Sequence, residues 1–254
     1  MISRYEVYLN GASLSSVSPD ILVLNIEYSA PETNYSTFNI ANRDGGRIRK
    51  KYTASVSAKV TFEIHAYNTY KRQAICQDVA LWAKNGGILE TSDRVGQRLR
   101  CVCTQKPVIN ARDWTAPVEM VFTAYVLPFW EDDVETSYSL SAGTSGSGQF
   151  FLPGTEDGAL VEVDVLAGAS LSSVSLTVNG RTLSLTGLSV SNGDTIKITY
   201  DDQMIQSIKV GTTSLLGKRT GVDDLIANSG EYNTVSFTSS ASVTVTFKAR
   251  GLWV

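Results

Sequence analysis

The chain has 254 residues, of which 43% are hydrophobic and 19% are charged, and its formal net charge is −3. This composition excludes a disordered chain, because it provides enough apolar surface for a sizeable core. It also excludes the broad basic footprint on which non-specific nucleic-acid binding depends. The length suggests either one large all-β domain or two domains of ordinary size.

The N-terminal residues Met1 to Val7 lack the apolar segment of a signal peptide, and no later run approaches the roughly 20 apolar residues of a spanning helix. We therefore expect no membrane segment and no export by a standard signal. The three cysteines, Cys76, Cys101 and Cys103, cannot all pair within one chain. We expect them to be reduced thiols in a protein made in the cytoplasm.

A change in composition divides the chain near residue 136. Residues 136–149 are rich in glycine and serine and carry no charge, a composition typical of flexible connectors. We predict that this segment links a first domain, residues 1–135, to a second domain, residues 150–254. Five of the six prolines and three of the four tryptophans precede it, whereas serine and threonine supply 34 of the last 119 residues.

The first domain contains a basic run of four side chains, Arg47, Arg49, Lys50 and Lys51, which alternate in part with Ile48 and Tyr52. One interpretation is a long projecting hairpin arm. The other is a solvated strand edge, whose like charges resist uncontrolled strand pairing. A nucleic-acid site is disfavoured, because no aromatic stacking platform accompanies the charges.

The next segments are a strand and a helix. Residues Val56 to Ile64 alternate between apolar and polar side chains, as a half-buried strand does. The period then changes, and apolar residues recur at steps of four and three at Ile75, Val79 and Trp82. This pattern predicts a helix at about residues 69–85, with Thr69 as its N-cap and Gly86-Gly87 as its stop.

The remaining segments of the first domain favour strands. Leu89 to Arg100 is predicted to form a hairpin in which Gly96 takes a positive φ. Val118 to Leu127 is predicted to be a final, strongly apolar strand. The first domain is thus expected to be a β-sandwich with one α-helix and a projecting hairpin.

The second domain is predicted to be a β-sandwich built from successive hairpins. Asn179-Gly180 and Asn192-Gly193 are strong two-residue turn signals between alternating strands. A third hairpin is expected to turn at Ser239-Ser240. The strands of this domain have one apolar face and one face of serine and threonine, and an open sheet would leave the apolar face in water.

Chemistry-bearing motifs are scarce. The single histidine, His65, has no nucleophile and orienting carboxylate in a recognisable pattern. The cysteine spacing does not fit a zinc site, and we expect buried small hydrophobes instead. Four acidic residues near the domain boundary are interpreted as a solvated hinge rather than a cation site: Glu131, Asp132, Asp133 and Glu135. We predict no catalytic residue, metal or cofactor, and therefore no enzyme.

Across residues 1–135, the order and spacing of these elements resemble the N-terminal domain of the distal tail proteins of siphophages. The features that carry the resemblance are the Asn10-Gly11 turn, the Arg43-Asp44-Gly45-Gly46 turn, the strand Val60 to Ile64, the helix carrying Trp82, the hairpin around Ser92-Asp93 and Gly96, and the closing Leu127-Pro128-Phe129-Trp130.

This resemblance implies a structural virion protein of a phage tail tip or baseplate, synthesised in the cytoplasm of the host bacterium. Its implied partners are copies of itself in a homohexameric hub ring, the tail tube protein on one face and a tail-tip fibre or lysin protein on the other. It further implies a galectin-like β-sandwich over residues 150–254, where receptor-binding or adsorption proteins dock.

A closed ring needs two dissimilar contact surfaces on each copy. We expect one surface to be the arm, which comprises Arg47, Arg49, Lys50, Lys51 and Tyr52. We expect the other to be the sheet edge near the Leu89 to Arg100 hairpin.

The main alternative function is a carbohydrate-binding module or adhesin that acts through the second domain. Sugar platforms need exposed aromatic rings, and the candidates are Tyr200, Tyr232 and Trp253. Most aromatic residues of this domain alternate into the expected core, which favours a structural module. A hydrolase is disfavoured, because neither a histidine-centred site nor a pair of catalytic carboxylates is evident.

Overall fold

The computed structural model describes residues 5–39, 46–109 and 116–254. Over these ranges the chain is mainly β with one long α-helix, and its contacts divide it into two compact units. Unit 1 comprises Met1–Glu131 together with Val254, and unit 2 comprises Asp132–Trp253. The predicted fold class, a mainly β chain of two domains with one helix, is confirmed.

The strands of the described part of unit 1 are β1 (Val7–Leu9), β2 (Ala12–Ser13), β3 (Ile21–Tyr28), β4 (Thr33–Asn39), β5 (Gly46–Thr53), β6 (Ser57–Ile64), β7 (Gly87–Thr91), β8 (Gln97–Gln105), β9 (Val118–Ala124) and β10 (Trp130–Asp132), which reaches the boundary. The helix α1 is Thr69–Trp82, and a 3-10 turn covers Leu14–Ser16. The antiparallel order is β2-β1-β7-β8-β9-β6-β3, with β10 beside β8. The strands β4 and β5 pair with each other as a separate ribbon.

The core of unit 1 lies on one face of this sheet. Along β6 the side chains alternate strictly between part-exposed and buried, with Val60 and Phe62 fully enclosed. Phe122 on β9 is also fully buried. The alternation predicted from Val56 to Ile64 is therefore confirmed. Each such side chain contributes roughly 1.5–3 kcal/mol relative to an exposed position.

The predicted helix is present but begins and ends differently from the prediction. Its N-cap is Asn68 rather than Thr69, because the Asn68 side-chain oxygen accepts the backbone N–H of Lys71 at 2.8 Å. The last helical residue is Trp82, three residues before the predicted end at position 85. The chain leaves the helix through Gly86, whose φ of +65° lies in the left-handed region.

The strands of unit 2 are β11 (Thr136–Leu152), β12 (Asp157–Ala167), β13 (Leu171–Val178), β14 (Arg181–Val190), β15 (Thr195–Tyr200), β16 (Gln206–Val210), β17 (Thr213–Ser214), β18 (Arg219–Gly221), β19 (Ile226–Asn228), β20 (Glu231–Ala249) and β21 (Leu252–Trp253), with a 3-10 turn at Leu216–Lys218. One layer contains β11, β20, β12, β15, β16 and β17, and β19 pairs with β12. The other contains β11, β20, β13, β14 and β18.

Two long strands, β11 and β20, serve both layers of unit 2. The second half of β20, residues 243–249, pairs with β12, whereas residues 235–239 pair with β13. β11 pairs with β20 along most of its length. The pairing is interrupted once, where residues 239–242 of β20 have no partner residue on β11. The Ser239 hydroxyl contacts the Thr144 and Ala241 carbonyls at this point. The strands therefore bend from one layer into the other.

This arrangement corrects two predictions. Residues 136–149, predicted to be a flexible linker, form most of β11. Ser239-Ser240, predicted to be a hairpin turn, lies inside the continuous strand β20. By contrast, the turn at Asn179-Gly180 is confirmed, since both residues have positive φ, 47° and 78°, as a type I′ turn requires.

The glycines of β11 have a packing function that composition does not reveal. Gly146 faces the ring of Phe237, and a Cβ at position 146 would lie 2.7 Å from Cε1 of that ring. Gly148 lies under Tyr138 in the same way, at 2.8 Å from its Cε1 atom. Tyr138 in turn stacks on Phe150 at a centroid distance of 6.3 Å. Glycine is required here because aromatic rings cover the backbone.

We predict that Gly146→Val lowers the free energy of unfolding by about 1–3 kcal/mol, because the ring of Phe237 is buried and cannot move aside. Urea denaturation of the full chain measures this loss. Ser147→Val is the matched control, since the neighbouring side chain points to solvent, and it should change the stability by less than about 0.5 kcal/mol. Equal stabilities for the two variants would contradict the packing role of Gly146.

Candidate assembly surfaces

The ribbon of β4 and β5 corresponds to the predicted arm. It continues the pairing of β3 with β6, which forms one edge of the unit 1 sheet. Between the two pairs, the backbone N–H of Ser29 donates to the Ser57 carbonyl at 2.9 Å, and that of Ala54 donates to the Glu32 carbonyl at 2.8 Å. Thr33 then pairs with Thr53. The arm is thus a hydrogen-bonded extension of the sheet edge.

The five predicted contact residues all lie on β5. Lys50, Lys51 and Tyr52 pair with Ser36, Tyr35 and Asn34 of β4. Arg47 pairs with Phe38, and the register shifts between Ser36 and Thr37, so that Arg49 has no partner residue on β4. This irregularity is a β-bulge, which increases the local twist of a ribbon. The Arg43-Asp44-Gly45 part of the predicted turn lies outside the described residues.

The root of the arm is anchored by Tyr28, the last residue of β3. Its hydroxyl donates to Asp93 at 2.6 Å and lies 2.9 Å from the Thr91 hydroxyl. Its ring packs edge to face against Trp130 at 5.4 Å, with the Arg94 guanidinium 4.6 Å from the ring centroid. Burial, and next the hydrogen bond to Asp93, raise the pKa of Tyr28. These contacts hold the end of β3, from which the arm begins.

The second predicted surface, the sheet edge near the Leu89 to Arg100 hairpin, remains a prediction. The hairpin strands themselves lie inside the sheet, because β7 lies between β1 and β8, and β8 lies between β7 and β9. Leu89 and Leu99 are fully buried on the core face of these strands. The edges of this sheet are β2 and β3.

A different exposed surface surrounds α1. Tyr70 and Leu81 on the helix, and Val108 beyond β8, are large apolar side chains with more than half of their surface exposed. Between the helix and residues 107–109 lies a groove of about 360 Å³, lined in part by Cys76 and Ala80. The predicted apolar stripe accounted only for the buried face of the helix. Exposed apolar side chains beside a groove are a feature of many interaction sites.

Two of the three candidate glycan contacts are held within unit 2. The indole N–H of Trp253 donates to the Asp132 carboxylate at 2.7 Å. The Tyr200 hydroxyl accepts a hydrogen bond from Gln206 at 3.3 Å, and burial raises the pKa of this tyrosine. Both side chains thus have structural partners, which makes them poor platforms for a sugar.

The third candidate, Tyr232, is 70% exposed. It lies at the start of β20, opposite Phe151 of β11. The two rings contact each other with centroids 5.4 Å apart, and Phe151 is itself 47% exposed. Sequence reasoning missed Phe151, because its neighbours Phe150 and Leu152 dominate the apolar pattern. The exposed aromatic residues of this layer are therefore Phe151 and Tyr232, and of the three predicted candidates only Tyr232 is among them.

The acidic group near the boundary is not a solvated hinge at Glu131. This carboxylate is almost fully buried and accepts hydrogen bonds from Arg98 at 3.3 Å and from Arg100 at 3.1 Å, both on β8. Glu135 instead pairs with Arg250 at 3.1 Å within unit 2. These carboxylates stabilise their own units through ion pairs.

No catalytic arrangement is evident in the described residues. His65 contacts Glu63 at 2.9 Å on the surface of β6. No group of three or more metal-binding side chains is found among the residues that the structure describes, and no helix there is long and apolar enough to cross a membrane. The thiols of Cys76 and Cys101 are buried, as expected for small hydrophobes.

The fold is the one found in hub and baseplate proteins of tailed phages. The chain is similar to the Dit protein of phage SPP1, described as a paradigm of the hub adsorption apparatus in phages that infect Gram-positive bacteria. The TM-score is 0.71 with 13% identity, over 97% of this chain and 98% of that one. A chain of the phage P2 baseplate in its activated, calcium-containing conformation is similar with a TM-score of 0.52 and 9% identity, over 99% and 98%.

The resemblance to distal tail proteins, drawn from the order of elements in the sequence, is thus confirmed at the level of the fold. No protein-family model matches the sequence, and no curated protein matches it. The similarity extends over both units, since nearly the whole length of each chain is covered.

We predict that Glu131→Ala lowers the free energy of unfolding by roughly 3 kcal/mol, because it removes the carboxylate that two largely buried guanidinium groups share. Glu135→Ala is the control, since its ion pair is more exposed and worth less than about 1 kcal/mol. Urea titrations followed by tryptophan fluorescence compare the two variants. A smaller loss for Glu131→Ala than for Glu135→Ala would contradict the structural role of this carboxylate.

Thiol reactivity tests the environment of the cysteines. Burial raises the pKa of Cys101 to about 12 and also raises the pKa of Cys76 and of Cys103. The three thiols differ in access, because Cys103 is part-exposed whereas Cys76 and Cys101 are buried. We expect a disulfide-exchange reagent at pH 8 to modify Cys103 first and the other two only after denaturation. Cys103→Ser should remove the fast phase, and a fast phase that survives this change would contradict the assignment.

Proposed function

We propose that this protein is a structural virion component of a phage tail tip or baseplate, where six copies form a hub ring. The observation that carries the proposal is the similarity of fold to SPP1 Dit over nearly the whole of both chains. The ring joins the tail tube protein on one face to a tail-tip fibre or lysin protein on the other. Receptor-binding or adsorption proteins dock on unit 2. The role is architectural rather than catalytic.

The arm is suited to a contact between copies. The described residues of β4 and β5 carry four basic side chains and no acidic one, so the ribbon has a charge of +4. Eight residues of strand span about 26 Å, enough to reach a neighbouring copy. Within the described chain each of these strands pairs only with the other, which leaves backbone donors and acceptors along both outer edges.

A closed ring uses heterologous contacts, in which one surface of each copy meets a different surface of the next. The cationic arm is one candidate contact surface on unit 1, and the second is a surface of the next copy that complements its positive charge. A stable contact buries on the order of 800 Å² per partner. At −3 per chain, six copies carry a formal charge of −18. A ring with a net negative charge suits the passage of DNA, because it does not attract the negatively charged phosphates and so does not hold the DNA in the channel.

The charge of the arm provides a direct test of assembly. The triple variant Arg49→Glu, Lys50→Glu, Lys51→Glu reverses its charge, and we expect monomers of 27.5 kDa where the wild-type chain forms rings. The physical reason is that each arm would meet its binding surface with the wrong sign of charge. Light scattering gives the mass, and negative-stain imaging of the wild type should show a six-fold annulus.

The matched control introduces the same change in net charge elsewhere. Lys197, Lys209 and Lys218 are exposed residues of unit 2, and replacing all three with glutamate should leave the ring intact. Rings that persist in the arm variant would remove the arm from the interface. A wild-type annulus with a different symmetry would contradict the hexamer.

A further inference from the structure

A polar groove crosses the exposed face of the unit 2 layer that contains β11, β20 and β13. It has a volume of about 430 Å³, within the range of roughly 300–1,000 Å³ typical of ligand pockets. Cross-strand pairs form its floor, with Ser147 opposite Ser236 and Gln149 opposite Thr234. Thr177 of β13 lies beside Ser236. The groove is therefore built on three adjacent strands of a rigid sheet.

Three polar side chains of the groove remain available to a ligand. The side chains of Ser147, Gln149 and Ser236 make no hydrogen bond to another residue in the described parts of the chain. Each serine hydroxyl can donate once and accept twice, and the glutamine amide can donate and accept. Such groups match the hydroxyls of a sugar, which also donate and accept in close succession.

An aromatic pair lies at one end of the groove. Phe151 and Tyr232 form the next cross-strand pair on the same face, two residues beyond Gln149 and Thr234. This spacing corresponds to about 7 Å along the strands. β11 is the outermost strand of this layer, where exposed apolar rings favour unwanted edge-to-edge association. A pair of large rings at an exposed edge therefore points to a binding role.

The charge of the surface restricts the class of ligand. No residue that lines the groove is charged. The nearest acidic side chain along β20, Glu231, is hydrogen-bonded to the Asn228 amide at 2.6 Å. An anionic polymer would meet no cation here, and a cationic ligand would meet no free carboxylate in the groove. The complementary ligand is an uncharged molecule with many hydroxyl groups and an apolar face.

We propose that this groove and the Phe151–Tyr232 pair form a binding site for a neutral oligosaccharide. One sugar ring stacks on the exposed aromatic pair, and the following units lie along the groove, where Gln149 and the serines bind their hydroxyls. The site differs from the aromatic trio predicted from the sequence, since it retains only Tyr232. It does not depend on assembly of a ring, because all of its residues belong to one layer of one chain.

Titration of the full chain with defined oligosaccharides tests the site. The probes are hexasaccharides of glucose, of N-acetylglucosamine and of rhamnose, together with a phosphorylated hexose oligomer as the charged comparison. We expect at least one neutral probe to bind in calorimetry and to shift the backbone amide resonances of Gln149 and Thr234. Tyr232→Ala should weaken this binding about tenfold or more, as is typical for loss of an aromatic anchor.

The control variant is Ile205→Ala, which removes a 63% exposed apolar side chain in a loop of the other layer. It should bind as the wild type does. Circular dichroism of Tyr232→Ala verifies that the variant is folded, which its exposed position favours. The proposal is overturned by any of three results: no neutral probe binds at millimolar concentration, the phosphorylated oligomer binds more tightly, or Tyr232→Ala binds unchanged.

Discussion

The antiparallel pairing of β11 with β20 is the interaction on which unit 2 depends. Both strands bend near Ser239 and continue from one layer into the other, so that Phe237 and Phe247 of a single strand are buried in the two halves of one core. If β20 shifted by one residue along its partner strands, its buried side chains in both halves would turn toward water. The pairing therefore sets the register of the whole sandwich, and the polar groove is the exposed side of this same strand pair.

Unit 1 uses backbone pairing for a different purpose. Its β3–β6 edge does not end in a tight turn but continues into the β4–β5 ribbon, whose root is fixed by Tyr28. A strand edge of this length attracts other strands, and a row of like charges is one way to restrict such pairing to a suitable partner. Under the proposed assembly, the positive charge of β5 would both protect the ribbon from uncontrolled association and restrict the surfaces that it can bind.

Local sequence patterns predicted most of the fold. Contacts between residues that are distant in the sequence could not be predicted from such patterns. The alternation through Val60 and Phe62, and the Asn179-Gly180 turn, are local patterns that the structure confirms. The glycines of β11 indicated a linker, because the ring that requires glycine at position 146 belongs to Phe237, about 90 residues away. Glu131 likewise appeared solvated because its arginine partners lie on a strand about 30 residues earlier. The residue type at a position does not show which distant residue it contacts in the fold.

The two candidate surfaces differ in the physics of recognition. The arm has a net charge of +4, so the contacts proposed for it would weaken as salt screens them over a Debye length of about 8 Å at physiological ionic strength. The groove has no charge, so hydrogen bonds and ring stacking would be nearly independent of salt. Contacts made by the arm and ligands held by the groove can therefore be varied separately. For the proposed role, this separation means that conditions which weaken contacts of the arm would not release a ligand from the groove.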